Sequence, residues 1–138
     1  MPEVRRRRRG TAIVETEKGI LVAAGRSKVF LLPGGGANRG ESRTKAAMRE
    51  LREETDLRSY RTKYLFRHRG RVHKSHGQGY FQDHHTVCLI KAKGIPRLRH
   101  EIKHVAYYKP GSKVHISRVT REIIDKYYDY KKKRRLSK

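Results

Sequence analysis

Glu50, Glu53 and Glu54 stand at i, i+3 and i+4, so a helix through them gathers three carboxylates on one side, about one turn apart. Glu41 and Asp56 flank them, and five of the chain's 13 acidic residues thus fall within residues 41–56. Against 36 Lys and Arg, that concentration opposes the composition. Carboxylates at this spacing repel by about 0.2–0.5 kcal/mol per pair. A hard divalent cation converts the repulsion into coordination, because Mg²⁺ accepts carboxylate oxygens at about 2.1 Å and keeps several waters. Glu41, just ahead of the helix, is able to fold back toward the same patch. The other arrangement open to this spacing is a solvated helix face neutralised by Lys45, Arg49 and Arg52, which on charge spacing alone is the commoner one.

The order of residues around the cluster favours the cation. Gly35, five residues, Glu41, seven residues and then Arg49-Glu50-Leu51-Arg52-Glu53-Glu54-Thr55-Asp56-Leu57 resembles the signature of the Nudix hydrolases, G-x5-E-x7-R-E-U-x-E-E-x-G-U with U a bulky aliphatic residue. Every specified position matches except the last glycine, which is Asp56. Leu32-Pro33-Gly34-Gly35 also resembles the family's usual lead into this box. Asp56 stands where glycine would end the helix in a left-handed conformation, at a cost on the order of 1 kcal/mol.

The resemblance implies a Nudix-type α/β/α sandwich, with a mixed β-sheet between helices. It implies hydrolysis of a nucleoside diphosphate linked to another group, by water attacking phosphorus with Mg²⁺ or Mn²⁺. Glu53 and Glu54 become the principal metal ligands by position, with Glu50 as ligand or general base and Glu41 in support. Arg49 orients the glutamates. Gly35 lets its loop pack against the catalytic helix and belongs to the substrate side. Glu101 falls where some relatives carry an extra acid near the metal. Substrate choice lies outside the box. Phe30, Tyr80, Phe81 and Tyr107 are candidates for stacking, core packing being the commoner role of each. Arg67, His68, Arg69, Arg71, His73 and Lys74 are candidates for phosphates or RNA backbone, simple exposed loop charge being the alternative.

The elements that must position these residues are legible in outline. Thr11–Thr16 and Ile20–Ala24 read as a hairpin turning at Gly19. Val29–Leu32 reads as a strand stopped by Pro33 and Gly34–Gly36. Ser42–Glu54, free of Gly and Pro, predicts a helix. Tyr64–Phe66, Tyr80–Ala92 and Glu101–Tyr108 predict strands, with a basic exposed loop over Arg67–Gly79. Val119, Ile123, Ile124, Tyr127 and Tyr128 recur at helical spacing and predict a second helix over Ser117–Tyr128.

The length of 138 residues suits one domain, here set at residues 10–130. The chain carries +23, of which residues 1–9 supply +4 and residues 131–138 supply +6. Both ends, Arg5, Arg6, Arg7, Arg8 and Arg9 at one and Lys131, Lys132, Lys133, Arg134 and Arg135 at the other, are expected to be disordered arms that bind nucleic acid. A charge excess within the domain also points to RNA or a ribosome as partner, with strong salt dependence. A solubilising charge bias is the alternative, but it normally raises both signs together. The longest apolar run, Ile20–Ala24, is far too short to span a bilayer, and no secretory pattern follows the arginines. With the single cysteine, Cys88, this predicts a cytoplasmic protein with no membrane partner. Oligomerisation stays open.

Other constellations carry less. His73, His76, His84 and His85 lack the paired Cys and His spacing of a zinc site. Cys88 sits in an apolar strand and reads as a buried thiol. Two readings of different class result: a metal-dependent pyrophosphohydrolase, or a Nudix-fold RNA-binding or ribosome-associated protein with little catalysis.

Overall fold

Side-chain alternation along β1 (Val4–Ile13) sets the layers of the computed structural model, which describes residues 3–77, 79–99 and 101–136. Successive side chains of a strand point to opposite faces. Ala12 and Val14 pack with Leu21, Cys88 and Ile90 beneath Ala47 and Leu51 of α1 (Arg43–Thr55). Ile13 faces the other way, among Ile20, Val22 and Val87, and is covered by Ile123, Ile124 and Tyr127 of α2 (Arg118–Leu136). Two helices therefore enclose the strands, the α/β sandwich expected from the resemblance.

The strands form two sheets. In the first, β4 (Gly34–Gly36), β1, β6 (Gly79–Lys93) and β5 (Arg58–Ser75) lie in that order, with β1 and β6 parallel and the other pairs antiparallel. In the second, β2 (Glu15–Thr16) and β7 (His104–Tyr108) flank β3 (Gly19–Ala24), all antiparallel. Every residue of β3 is buried, which explains its unbroken apolar run: helices cover both faces. The predicted hairpin turning at Gly19 is present, but its first arm is only Glu15–Thr16, since Thr11–Ile13 pairs with β6 in the other sheet.

Ser42 caps α1, its hydroxyl accepting from the Lys45 N–H at 3.1 Å, and Thr55 closes the helix by donating to the Leu51 carbonyl at 2.6 Å. Gly10 brings the sheet close to α1. A Cβ there would collide with the Arg43 carbonyl and the Ala47 nitrogen.

Four expectations are corrected. Residues 4–9 are no disordered arm. They continue β1, whose register with β6 runs from Val4 beside Tyr80 to Arg9 beside His85. Arg7 reaches Asp83 through two hydrogen bonds of 2.7 and 3.1 Å and stacks 3.9 Å from the Phe81 ring centre. Those partners lie 74 to 76 residues away, so local composition does not register them. The basic C-terminus is likewise ordered as the end of α2 up to Leu136, with Lys131 holding Glu15 at 2.8 Å. Lys133, Arg134 and Arg135 occupy its last turn, where cations meet the negative end of the helix dipole. Met1, Pro2, Ser137 and Lys138 lie outside the described residues. Arg67–Ser75 is strand rather than loop, bent by irregularities between Tyr64 and Phe66 and between Arg69 and Val72. Val29–Leu32 makes only single bridges, Leu31 to Ala23 and Phe30 to Ile116, whereas the glycines after it form β4.

Candidate active site

Helix α1 and strand β4 build the site between them. Gly35 lies against Glu50 so closely that a Cβ there would sit 2.5 Å from the carboxyl carbon. No other residue fits without displacing that carboxylate. The Gly34 N–H donates to Glu54, one turn further along the same helix face.

Arg49 organises the remaining acids. Its Nε donates to Glu41 Oε2 at 2.9 Å and its Nη2 to Glu41 Oε1 at 3.0 Å, a two-pronged bond. Nη1 donates to Glu50 Oε1 at 3.0 Å and to Glu53 Oε2 at 3.1 Å, while Nη2 also meets the Gly36 carbonyl at 3.0 Å. One guanidinium thus ties the loop after β4 to three glutamates. It holds the Glu41 carboxyl down to about 2, helped by the Asn38 N–H, which donates to Oε1 at 2.9 Å.

Glu54 shows the opposite pressure. Burial raises its carboxyl most, and the neighbouring charge of Glu50 adds to this. The Gly34 N–H opposes the rise, Glu101 contributes to it, and a hydrogen bond with Glu50 adds further, so that Glu54 is pushed up to about 8. At neutral pH Glu54 therefore keeps its proton and is able to donate it to Glu50.

Among the described residues no three His, Cys, Asp or Glu side chains are gathered into a ready-made metal cage. The four expected ligands are divided: Glu41 and Glu53 lie on Arg49, Glu54 lies on Glu50, and Glu50 touches both groups. The donor set nevertheless fits a hard divalent cation. A carboxyl raised by burial and by its acidic neighbour, as that of Glu54 is, is what such an ion relieves, and Mg²⁺ is commonly held by one or two carboxylates with water and phosphate completing its shell. Beside Arg49 and Glu53 opens a cavity of about 890 Å³, whose walls include Arg52, Arg58 and Arg99. Anionic ligands thus border cationic walls, an arrangement suited to a phosphate chain and its counter-ion.

Asp56 ends α1 at φ 65° and ψ 8°, the left-handed conformation expected of the replaced glycine, and its N–H reaches the Arg52 carbonyl at 2.8 Å. Its carboxylate pairs with Arg99 at 3.3 Å.

The structure brings together Gly35, Glu41, Arg49, Glu50, Glu53 and Glu54, and it sets Glu101 within electrostatic reach of Glu54. Other predicted residues lie elsewhere. Phe30 is half-buried against the core beneath α2. Tyr80 pairs with Val4, six residues and roughly 20 Å along β1 from the Gly10 that faces Gly35. Arg67 is on β5, two strands across the sheet from Gly10. Arg5–Arg9 alternate between the two faces of β1, and Lys131–Arg135 ride on α2.

Sequence reading missed a second group on the α2 side of the sheet. Arg7, Arg9, Asp83, His85 and Thr120 line a cavity of about 200 Å³ that reaches Gly34. The Thr11 hydroxyl and His85 Nδ1 are 2.8 Å apart. Burial, then the charge of Arg9, pushes His85 down to about 4, so it is neutral there at pH 7. The available signal was the same-face spacing of Arg7, Arg9 and Thr11 and of Asp83 and His85.

Comparison with known proteins adds the following. The NUDIX domain family model matches residues 4–121. The chain is similar to the crystal structure of a nudix hydrolase family member from Chromobacterium violaceum, with 37% identity, a TM-score of 0.72 and coverage of 92% of this chain and 78% of that one. It shares the fold of a MutT NUDIX hydrolase from Burkholderia pseudomallei at 20% identity and TM-score 0.71, over 88% of this chain and 97% of that one. It also shares the fold of the E. coli dihydroneopterin triphosphate pyrophosphohydrolase at 16% identity and TM-score 0.69, over 91% and 97%. No curated protein matches the chain.

Proposed function

Because the chain belongs to the Nudix family of hydrolases, which act on phosphoric anhydrides, we propose that it cleaves a nucleoside diphosphate linked to a second group, by water attack at phosphorus with Mg²⁺ or Mn²⁺. The observation that carries this reading is the Arg49 fan, set beside a Glu50–Glu54 pair packed on Gly34 and Gly35.

Glu50, Glu53 and Glu54 are the residues that would hold the cation. When bound, the cation neutralises charge on the phosphates and lowers the pKa of an attacking water. Arg49 is a positioning residue: its planar fork fixes Glu41, Glu50 and Glu53 relative to one another before substrate arrives. Glu41 anchors that fork to the loop following β4. Gly35 leaves room for the Glu50 carboxylate. Glu50, by its position in the box, would accept the proton of the attacking water. The Arg52, Arg58 and Arg99 wall offers donors for phosphate oxygens, and the smaller cavity with Asp83 and His85 offers polar groups to a base.

The test is a panel of nucleoside triphosphates, dinucleoside polyphosphates, ADP-ribose and capped RNA, incubated with Mg²⁺ or Mn²⁺ and resolved by chromatography. At least one member is expected to turn over, and Glu54→Gln to abolish that turnover with the fold retained. Failure across the panel with both metals overturns the reading.

A second reading, association with RNA or ribosomes in the cytoplasm, is favoured by the net charge of +23 and by the arginines held in β1. Comigration with ribosomal particles at low salt and release at high salt are expected of it.

A further inference from the structure

A cavity of about 550 Å³ lies outside the carboxylate site, walled by Arg6 and Arg8 of β1, Arg43 of α1, Arg67 and Arg69 of β5 and Lys126 of α2. Side-chain parity sets the β1 pair on the α1 face, since Gly10 and Ala12 of the same strand pack against that helix. His84 of β6 lies between the two rows. The register pairs it with Arg8 on one side and Arg69 on the other.

No acidic side chain lines this cavity among the described residues, and none of the six cations is ion-paired there. Arg43 Nε, a donor in its wall, is buried without a hydrogen-bond partner among the described residues. Burial first, then the charges of Arg8 and Arg67, lowers the Arg43 guanidinium pKa, and His84 is lowered by burial and by Arg69, Arg6 and Arg43. The wall thus stores mutual repulsion and one unpaired guanidinium donor, both of which an anion relieves.

The spacing selects the kind of anion. Same-face residues on a strand are roughly 6.6 Å apart, and β1 and β5 are separated by two strand spacings, roughly 9.6 Å. The register sets Arg8 level with Arg69, Arg6 one step before them level with Val72, and Arg67 one step after them level with Gly10, so the four cations cross the sheet at three successive levels. A compact phosphate meets one rung of such a ladder, whereas a nucleic-acid strand, with one phosphate per nucleotide, meets successive rungs. We propose that this cavity seats consecutive phosphates of single-stranded RNA, an inference that rests on the RNA-association reading and gives it a location. The Arg8 guanidinium donates to the Glu41 carbonyl at 3.0 Å, so the seat is one residue removed from the Arg49 network.

The test uses the full chain, EDTA and a 12-nucleotide oligouridylate with a 5′-hydroxyl and a 3′ fluorophore. The probe holds no anhydride bond, so its binding is independent of hydrolysis. Arg67→Gln/Arg69→Gln is expected to weaken binding at least tenfold and to flatten the slope of log affinity against log salt by about 1.4, that is, 0.7 for each lost phosphate contact. Lys109→Gln/Lys113→Gln, exposed between β7 and α2, is expected to change affinity less than threefold. Circular dichroism and thermal melting check that both variants fold. Equal losses in the two variants overturn the location while leaving RNA association standing. No binding by the wild type at 50 mM salt overturns both. Binding of tripolyphosphate that depends on Arg67 and Arg69, without binding of oligouridylate, assigns the cavity to a compact anion and overturns the proposal.

Discussion

Arg49 makes five hydrogen bonds from one guanidinium to Glu41, Glu50, Glu53 and Gly36. Lysine keeps the charge but has no planar fork, so Arg49→Lys should release Glu41 from the helix. The expected result is a 10- to 100-fold loss of apparent metal affinity or activity, measured by titrating Mg²⁺ against turnover. Glu54 supports a separate prediction. Its carboxyl is raised to about 8, and a metal binds the ionised form, so Mg²⁺ uptake at pH 7 should expel close to one proton. Calorimetry in buffers of different ionisation enthalpy measures it, and Glu54→Gln should abolish it. At this scale the sequence was informative where spacing is local. Glu50, Glu53 and Glu54 share a helix face whatever surrounds them, and the left-handed end at Asp56 followed from the glycine it replaces. Arg7 with Asp83, and Thr11 with His85, are joined only by strand pairing across more than 70 residues, which no local pattern encodes.

Among the elements, α1 has one visible compromise, its C-terminal residue. Aspartate at φ 65° costs on the order of 1 kcal/mol relative to glycine, and the half-exposed pair with Arg99 returns about 0–1 kcal/mol. Asp56→Gly should therefore be neutral to stabilising by up to about 1 kcal/mol in urea denaturation, with turnover retained. The helices and the β2–β3 hairpin were legible because their periodicity and turn chemistry are local. Within the β5–β6 hairpin, Arg67–Gly79 reads as a loop from sequence because its residues are cationic and histidine-rich. Backbone pairing over Arg58–Ser75 outweighs that composition. The chain between Val29 and Leu32 has strand-like residues but makes only isolated bridges, to Ala23 and Ile116.

For the whole molecule, buried titrating groups set a pH dependence of two signs. His85 has a folded pKa of about 4 against about 6.5 unfolded. Between these values the unfolded chain binds more protons. This contribution is full above pH 6.5 and declines as pH falls, by about 2 kcal/mol between pH 7 and pH 5. Glu54 acts oppositely: its contribution is full below its ordinary value of 4.5 and is lost as pH rises through about 8. Comparing wild type with His85→Gln isolates the first effect. Chemical denaturation at pH 7 and pH 5 should reveal a larger acid loss in the wild type.

The arginine segment of β1 runs beside β6, with its register reaching from Val4 to Ile13. A protease cutting after Arg9, or a fusion partner crowding Val4, would consequently do more than trim a flexible extension. Either would strip Tyr80–His85 of its backbone neighbour and create a free sheet margin, ready to recruit a strand from a second molecule. Preparations with ragged N-termini should therefore contain soluble aggregates in proportion to the clipped fraction.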